Sequence, residues 1–146
     1  MAKPSFINLW ANYPTTSTPC DGPWDNQCAI RMSITLNAEK TIKVNKSTYS
    51  EPKCAHDHAR GAESLANWLW RHHLGRPTIL TGSAEDRRTL YQKTGIIFFK
   101  DCFARMGQSL EARTGDHIDL WNRGSVTGDF ADQAHRSRQV WFWELK

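Results

Sequence analysis

A cysteine next to a predicted helix start is the first candidate for chemistry in this sequence. Cys28 follows a stretch rich in Pro, Thr, Ser, Asp and Asn and opens CAIRMSITLNAEK, where Cys28, Met32 and Leu36 recur at helical spacing. A thiol in the first turn of a helix meets unpaired backbone N–H groups and the positive end of the helix dipole, and both favour the thiolate. Cys28 is therefore a candidate nucleophile, although its position alone fits an inert buried cysteine better.

A histidine in a later segment could act as the base for this thiol. GDHIDLWN places His117, Asp119 and Trp121 on one face of a predicted strand, with apolar residues on the other face. The apolar face enters a core, and the other face meets a neighbour or a cleft. His117 could accept the thiol proton and later protonate a leaving group, although a strand histidine is more often a surface or core residue.

The remaining cysteines and histidines predict no metal and no cofactor. Cys54, His56 and His58 in CAHDH are of metal-binding types, but alternating ligands without a second cluster at fixed spacing seldom bind zinc. With Cys28 set aside, Cys20, Cys54 and Cys102 are an odd number, so at most one disulfide can form among them. Which pair would form it cannot be read from the sequence.

Hydrophobic periodicity predicts helices first and strands afterwards. One helix begins near Cys28 with Asp25 or Asn26 as its cap, a second covers RGAESLANWLWRHHLG and ends at Gly75, and Ser83 opens a third in SAEDRRTLYQK. The predicted strands lie in TGIIFFKD, GDHIDLWN and QVWFWELK. This order predicts an α+β fold with an antiparallel sheet near the C-terminus.

Length and composition indicate one soluble domain over residues 1–146, with 39% hydrophobic and 23% charged residues. The net charge of +4 is scattered and forms no basic stripe, so we expect no nucleic-acid partner. No apolar run approaches the roughly 18 residues of a membrane span, so we expect no membrane insertion. MAKPSFINLWANYP lacks the apolar core of a signal peptide, so we expect synthesis in the cytoplasm without a cleaved leader.

Four segments in one order carry a more specific signal. NQCAIRMS, RGAESLANWL, KTGIIFF and GDHIDLWN span most of the chain between residues 26 and 130 and resemble the fourth family of type VI secretion amidase effectors. The resemblance implies a papain-like cysteine amidase fold, with N-terminal helices packed on a C-terminal antiparallel sheet. The matching nucleophile is Cys28 and the matching base is His117.

The same resemblance implies a substrate and partners. The substrate would be the γ-D-glutamyl to meso-diaminopimelate bond of peptidoglycan stem peptides, cut by an antibacterial toxin. The type VI secretion machinery would inject the protein into the periplasm of a rival cell. In the producing cell, a cognate immunity protein would block the active site.

Asp119 and Asp129 compete for the role of orienting His117. Asp119 leaves the same strand face about 7 Å from His117, whereas Asp129 follows the turn NRGSVTG, which can return the chain beside that strand. Treating Arg123 as an insertion into the family's WNGS pattern aligns Asp129 with the family's catalytic Asp. We therefore expect Asp129 to be catalytic, and Asp119 and Trp121 to contact substrate.

Two other functions stay open at this point. The same cysteine and histidine could cut the D-alanine cross-link or the muramoyl to L-alanine amide. A chain of another class would be a non-enzymatic cell-wall or zinc-binding module that uses the aromatic residues and CAHDH.

Overall fold

The computed structural model describes residues 2–14, 19–20, 27–127 and 135–146. The helices are α1 (Phe6–Asn12), α2 (Cys28–Glu39), α3 (Ala62–Leu69), which continues as a π-helical turn (Trp70–Leu74), and α4 (Ala84–Arg88). The strands are β1 (Thr78–Leu80), β2 (Thr94–Phe103), β3 (Gly115–Asn122), β4 (Ser125–Val126) and β5 (Gln139–Glu144). None of the described helices is long and apolar enough to cross a membrane.

The strands form one antiparallel sheet in the order β1-β5-β2-β3-β4. The long strand β2 lies at its centre, where Phe99 pairs with His117 of β3 on one side and with Val140 of β5 on the other. The predicted α+β class with a C-terminal antiparallel sheet is confirmed, as are the three predicted strands. The additional strands β1 and β4 have 3 and 2 residues, too few for a periodic pattern.

Local end signals decide where the later helices stop and start. The Ser83 hydroxyl accepts a hydrogen bond from the Asp86 backbone N–H, so the predicted cap of α4 is confirmed. Gly75 follows the π-helical turn with φ 75°, a conformation that favours glycine, and the predicted end of this helix is also confirmed.

The sheet is buried on both faces, which explains the uninterrupted apolar runs of its central strands. Alternate residues of β2 enter different cores: Ile96 and Phe98 pack with α2 and α3, whereas Ile97 and Phe99 pack on the opposite face. The helical core also receives Ile118 of β3, as the alternation in GDHIDLWN predicted.

The turn after β3 is a tight hairpin. Asn122 pairs with Ser125, and the intervening Arg123 and Gly124 have φ values of 53° and 99°. Positive φ at both loop residues is the type I′ geometry that matches the twist of a hairpin. The predicted return of the chain beside β3 is therefore confirmed. Arg123, which the sequence analysis treated as an insertion, is the first residue of this loop.

We expect Arg123→Asn to stabilise the protein by about 0.5–1 kcal/mol, because a left-handed backbone costs most side chains about 1–2 kcal/mol and asparagine less. The melting temperature should rise by roughly 1–4 °C. Arg136→Asn is the matched control, since Arg136 is also an exposed arginine but has no positive φ. A melting temperature that rises equally in both variants would show that charge, and not backbone strain, is responsible.

Candidate active site

Cys28 is the first residue of α2, and Gln27 occupies the N-cap position. The Gln27 side chain does not cap the helix; it accepts from the Cys20 backbone N–H at 3.1 Å and donates to the Cys20 carbonyl at 2.9 Å. The cap prediction is therefore corrected to Gln27, while Asp25 and Asn26 lie outside the described residues. The helix start keeps backbone N–H groups beside the thiol, as the sequence predicted.

His117 of β3 contacts this thiol. The helix α2 packs on β3, and the side chains of Cys28 and His117 lie close enough to interact electrostatically. Cys28 is 2% exposed and His117 1% exposed, so little bulk water screens the contact. A buried thiol beside an imidazole can become a thiolate–imidazolium pair.

Asp119 and Phe99 fix the orientation of the imidazole ring. His117 Nε2 lies 2.8 Å from Asp119 Oδ2, and the ring stacks on Phe99 with a centroid separation of 6.2 Å and an interplanar angle of 10°. Because Nε2 faces the carboxylate, this contact fixes the direction of the ring beside the Cys28 thiol. An oriented imidazole beside a thiol is the arrangement that general base chemistry at sulfur requires.

Hydrogen bonds from Leu120 and Thr127 fix the position of the Asp119 carboxylate. Its Oδ1 accepts from the Leu120 backbone N–H at 2.8 Å and from the Thr127 backbone N–H at 3.2 Å, and the Thr127 hydroxyl also bonds it. The hairpin after β3 delivers Thr127 to this position. Tyr13 and Arg31 lie next to this group, and burial together with the charge of Asp119 raises the pKa of Tyr13.

These contacts favour charges on both His117 and Asp119. Burial alone would lower the pKa of His117, but the negative charge of Cys28 and the hydrogen bond to Asp119 outweigh it and raise the pKa to about 9. Burial would raise the pKa of Asp119, but the bond to His117 holds it below its ordinary value. The stabilisation from protonated His117 is thus fully present below pH 6.5 and is lost as the pH rises through about 9.

The structure places the predicted site residues in three different situations. Cys28, His117 and Asp119 come together, with Asp119 in the orienting position that the sequence analysis gave to Asp129. Asp129 lies outside the described residues, so its role stays a prediction. Trp121 is 3% exposed and its indole N–H donates to the Leu90 carbonyl at 2.9 Å, a placement that resembles core packing more than a cleft wall.

Sequence reasoning missed three neighbours of this site. Arg31 lies about one turn after Cys28 on α2, and its place in NQCAIRMS was the available signal. Thr127 follows the hairpin, so the turn itself could have indicated it. Tyr13 is the first residue after α1, and no pattern in the sequence marks it as a neighbour of the site.

The other cysteines differ from Cys28 in their surroundings. All four cysteines lie among the described residues, all are buried, and none of them is in a disulfide. Burial, with the charges of Asp116 and Cys28, raises the pKa of Cys102 to about 12, which keeps it a thiol. Cys20 Sγ lies 3.2 Å from His56 Nδ1 and forms a second cysteine–histidine contact.

Titration of His117 by NMR should separate the two candidate aspartates. We expect a pKa near 9 in the unmodified protein, and a lower value in Asp119→Ala and in Cys28→Ala, because each change removes a group that raises it. Asp129→Ala should leave the value unchanged. A fall in Asp129→Ala as large as that in Asp119→Ala, with both proteins folded by circular dichroism, would assign the orienting role to Asp129 as well.

Known proteins share this fold. The effector Tae4 from Salmonella Typhimurium, solved with its immunity protein Tai4, is 22% identical with a TM-score of 0.72 over 99% of this chain and 100% of that one. Tae4 in the Tae4–Tai4 complex from Enterobacter cloacae is 19% identical, with a TM-score of 0.69 over 99% of this chain and 100% of that one. The Enterobacter cloacae effector alone is 19% identical, with a TM-score of 0.70 over 99% of this chain and 98% of that one. These likenesses confirm the predicted papain-like fold.

Sequence comparison identifies the family. No curated protein matches the chain. Residues 24–143 match the family model Tae4, described as type VI secretion system (T6SS), amidase effector protein 4. This range includes Cys28, His117 and Asp119 but not Cys20. The chain therefore belongs to the Tae4 family of type VI secretion amidase effectors and is an enzyme of the amidase class.

Proposed function

We propose that this amidase hydrolyses peptidoglycan stem peptides with Cys28 as nucleophile, His117 as acid and base, and Asp119 as the residue that orients His117. The Cys28 thiol beside the His117 imidazole, which is itself held by the Asp119 carboxylate, carries the proposal. Cys28 is at the start of a helix and lies inside the segment that matches the amidase family.

The reaction is acyl transfer in two halves. The Cys28 thiolate attacks the amide carbonyl, and backbone N–H groups at the start of α2 stabilise the oxyanion. Protonated His117 gives its proton to the leaving amine as the C–N bond breaks, which leaves a thioester on Cys28. Neutral His117 then takes a proton from water, the resulting hydroxide attacks the thioester, and the product leaves as a carboxylic acid while thiolate and imidazolium are restored.

The bond that we propose is the one between D-glutamate and meso-diaminopimelate. The family assignment supports it together with the fold, and the net charge of +4 suits an anionic cell-wall polymer. The D-alanine cross-link and the muramoyl to L-alanine amide are the alternatives, since the same three residues could cut either. A purely non-enzymatic module is not compatible with membership of an amidase family.

We further infer that the protein acts in the periplasm of a target cell and is neutralised in the producing cell by a cognate immunity protein that blocks the active site. Membership of a type VI effector family supports delivery by that machinery. The relatives from Salmonella and Enterobacter were solved as complexes with the immunity protein Tai4, which supports a partner of the same kind. Peptidoglycan lies in the periplasm, so this location brings enzyme and substrate together.

Cys28 and Cys20 each lie beside a histidine, and replacing them separately tests which one is the nucleophile. Cys28→Ala should lower kcat for peptidoglycan digestion by at least about 10⁴-fold, because removal of a nucleophile leaves only the binding and oxyanion contributions. Cys20→Ser should keep measurable turnover, since Cys28 and His117 remain. Circular dichroism should show both proteins folded. Loss of turnover only in Cys20→Ser would transfer the nucleophile to the Cys20–His56 pair.

Mass spectrometry of muropeptides after digestion tests the bond. We expect new termini at D-glutamate and at the amino group of diaminopimelate, with Cys28→Ala as the blank. New D-alanine ends would instead assign the cross-link, and free lactyl groups would assign the muramoyl amide. Either of these outcomes overturns the bond assignment and leaves the catalytic residues in place.

A further inference from the structure

A second group of sulfur and nitrogen ligands lies outside the catalytic site. One ligand atom each from Cys20, Cys54 and His56 lies within 4.8 Å of the other two. Cys20 Sγ is 3.2 Å from His56 Nδ1, and Cys54 Sγ is 3.6 Å from Nδ1 of a fourth residue, His58. We call these four residues the sulfur cluster.

The CAHDH segment is folded into a turn that presents its ligands together. The Cys54 backbone N–H donates to the His58 carbonyl at 2.8 Å, and Asp57 takes a positive φ of 65°. A bridge between Lys53 and Ala59 closes the turn. The His56 backbone N–H also donates to Cys54 Sγ at 3.4 Å, a contact that orients the sulfur. These backbone contacts hold Cys54, His56 and His58 in one turn.

Two sulfur–nitrogen separations in the cluster are near those around a tetrahedral zinc ion. With Zn–S near 2.3 Å and Zn–N near 2.05 Å, a sulfur and a nitrogen ligand lie about 3.6 Å apart and two sulfurs about 3.8 Å. The measured 3.2 and 3.6 Å are close to the first of these values. We propose that the sulfur cluster is a structural zinc site, with Cys20, Cys54 and His56 as three ligands and His58, 3.6 Å from Cys54 Sγ, as the fourth after its side chain turns toward the ion.

The chemistry of the cluster selects zinc over harder cations. Thiolate and imidazole ligands suit Zn²⁺ and exclude Mg²⁺ and Ca²⁺, which prefer oxygen. Two thiolates and two neutral imidazoles give a complex without net charge, which suits the burial of Cys20 and Cys54 against Ile30 of α2. Each thiol releases one proton on binding, so affinity should rise with pH. His56 is exposed and leaves the ion a route from solvent.

The sulfur cluster is linked to the nucleophile through α2. The Gln27 side chain, next to Cys28, bonds both backbone groups of Cys20. From the other side of the cluster, the Ala59 backbone N–H donates at 3.0 Å to the hydroxyl of Ser33, also on α2. A zinc ion would therefore fasten the chain before the catalytic helix to the turn beside it. Its role would be to hold the helix start in place and not to take part in hydrolysis.

The zinc proposal is tested in the Cys28→Ala variant. In this variant the catalytic thiol cannot bind metal, and no readout depends on hydrolysis. Reduced protein that has been freed of metal with a chelator is titrated with Zn²⁺ in competition with a zinc indicator. The number of zinc ions bound per chain is measured by elemental mass spectrometry. We expect one zinc per chain and a higher melting temperature with metal. Co²⁺ in place of zinc should give the intense charge-transfer absorption of cobalt–thiolate bonds.

Variants in the same background locate the site. His56→Ala, Cys20→Ser and Cys54→Ser should each weaken zinc binding by at least about 100-fold, since changes behind the ligands already cost 10- to 100-fold. Cys102→Ser and His72→Ala are the matched controls and should bind as the parent does. His56 is exposed, so its replacement does not threaten the fold.

Three outcomes would overturn the proposal. They are a stoichiometry of zero, equal affinity in the ligand and control variants, or a Cys20–Cys54 disulfide in the native protein that excludes metal. Because the tested chain is inactive by design, each of these results would leave the proposed hydrolysis unaffected. Conversely, zinc binding at this site would stand even if peptidoglycan were not the substrate.

Discussion

The contact between His117 and Asp119 is the interaction on which the catalytic site depends. It is an ion pair within one strand, 2.8 Å long and almost fully shielded from water, so its charges must be satisfied by the protein itself. Removing one member of such a pair costs about 3–5 kcal/mol, because the other charge is left buried without a partner. The bonds from Leu120 and Thr127 to Asp119 meet this requirement. The same groups that neutralise the charge also fix the ring that faces Cys28.

The architecture brings distant parts of the chain to this pair. Helix α2 supplies the thiol and Arg31, the hairpin after β3 returns Thr127, and the end of α1 leads to Tyr13. Strand β3 lies between β2 and β4, and its residues 117–122 pair without interruption with β2, which holds His117 in place. Rigid elements are better supports for such geometry than loops, because small displacements of reacting groups are costly in rate. The sheet therefore positions the base, and the helix start positions the nucleophile.

Much of this fold could be predicted from the sequence because its main elements have strong local patterns. The runs IIFF and VWFW, the alternation in GDHIDLWN and the spacing after Cys28 are all local, and each led to the observed element. The orienting contact of Asp119 was underrated because ideal strand geometry separates side chains two residues apart by about 7 Å. The side chains lean along β3 and close that gap. Asp129 remains a prediction.

Contacts between distant segments could not be predicted in the same way. Cys20 and His56 are 36 positions apart, and no periodic pattern relates them. CAHDH therefore lacked the second ligand segment that a zinc pattern requires, and the fold supplied it. The positions of Tyr13 and Thr127 around Asp119 depend on chain paths of the same long-range kind.

The burial of the sheet on both faces has a consequence for the unfolded chain. The runs Ile96–Phe99 and Val140–Trp143 pair directly with each other in the native sheet, and both are apolar and rich in residues that favour strands. Short segments of this kind readily form intermolecular β-structure once exposed. Charged residues at their ends, Lys100, Arg138 and Glu144, act as gatekeepers against such pairing. Resistance to aggregation thus depends on a few charges at the strand ends.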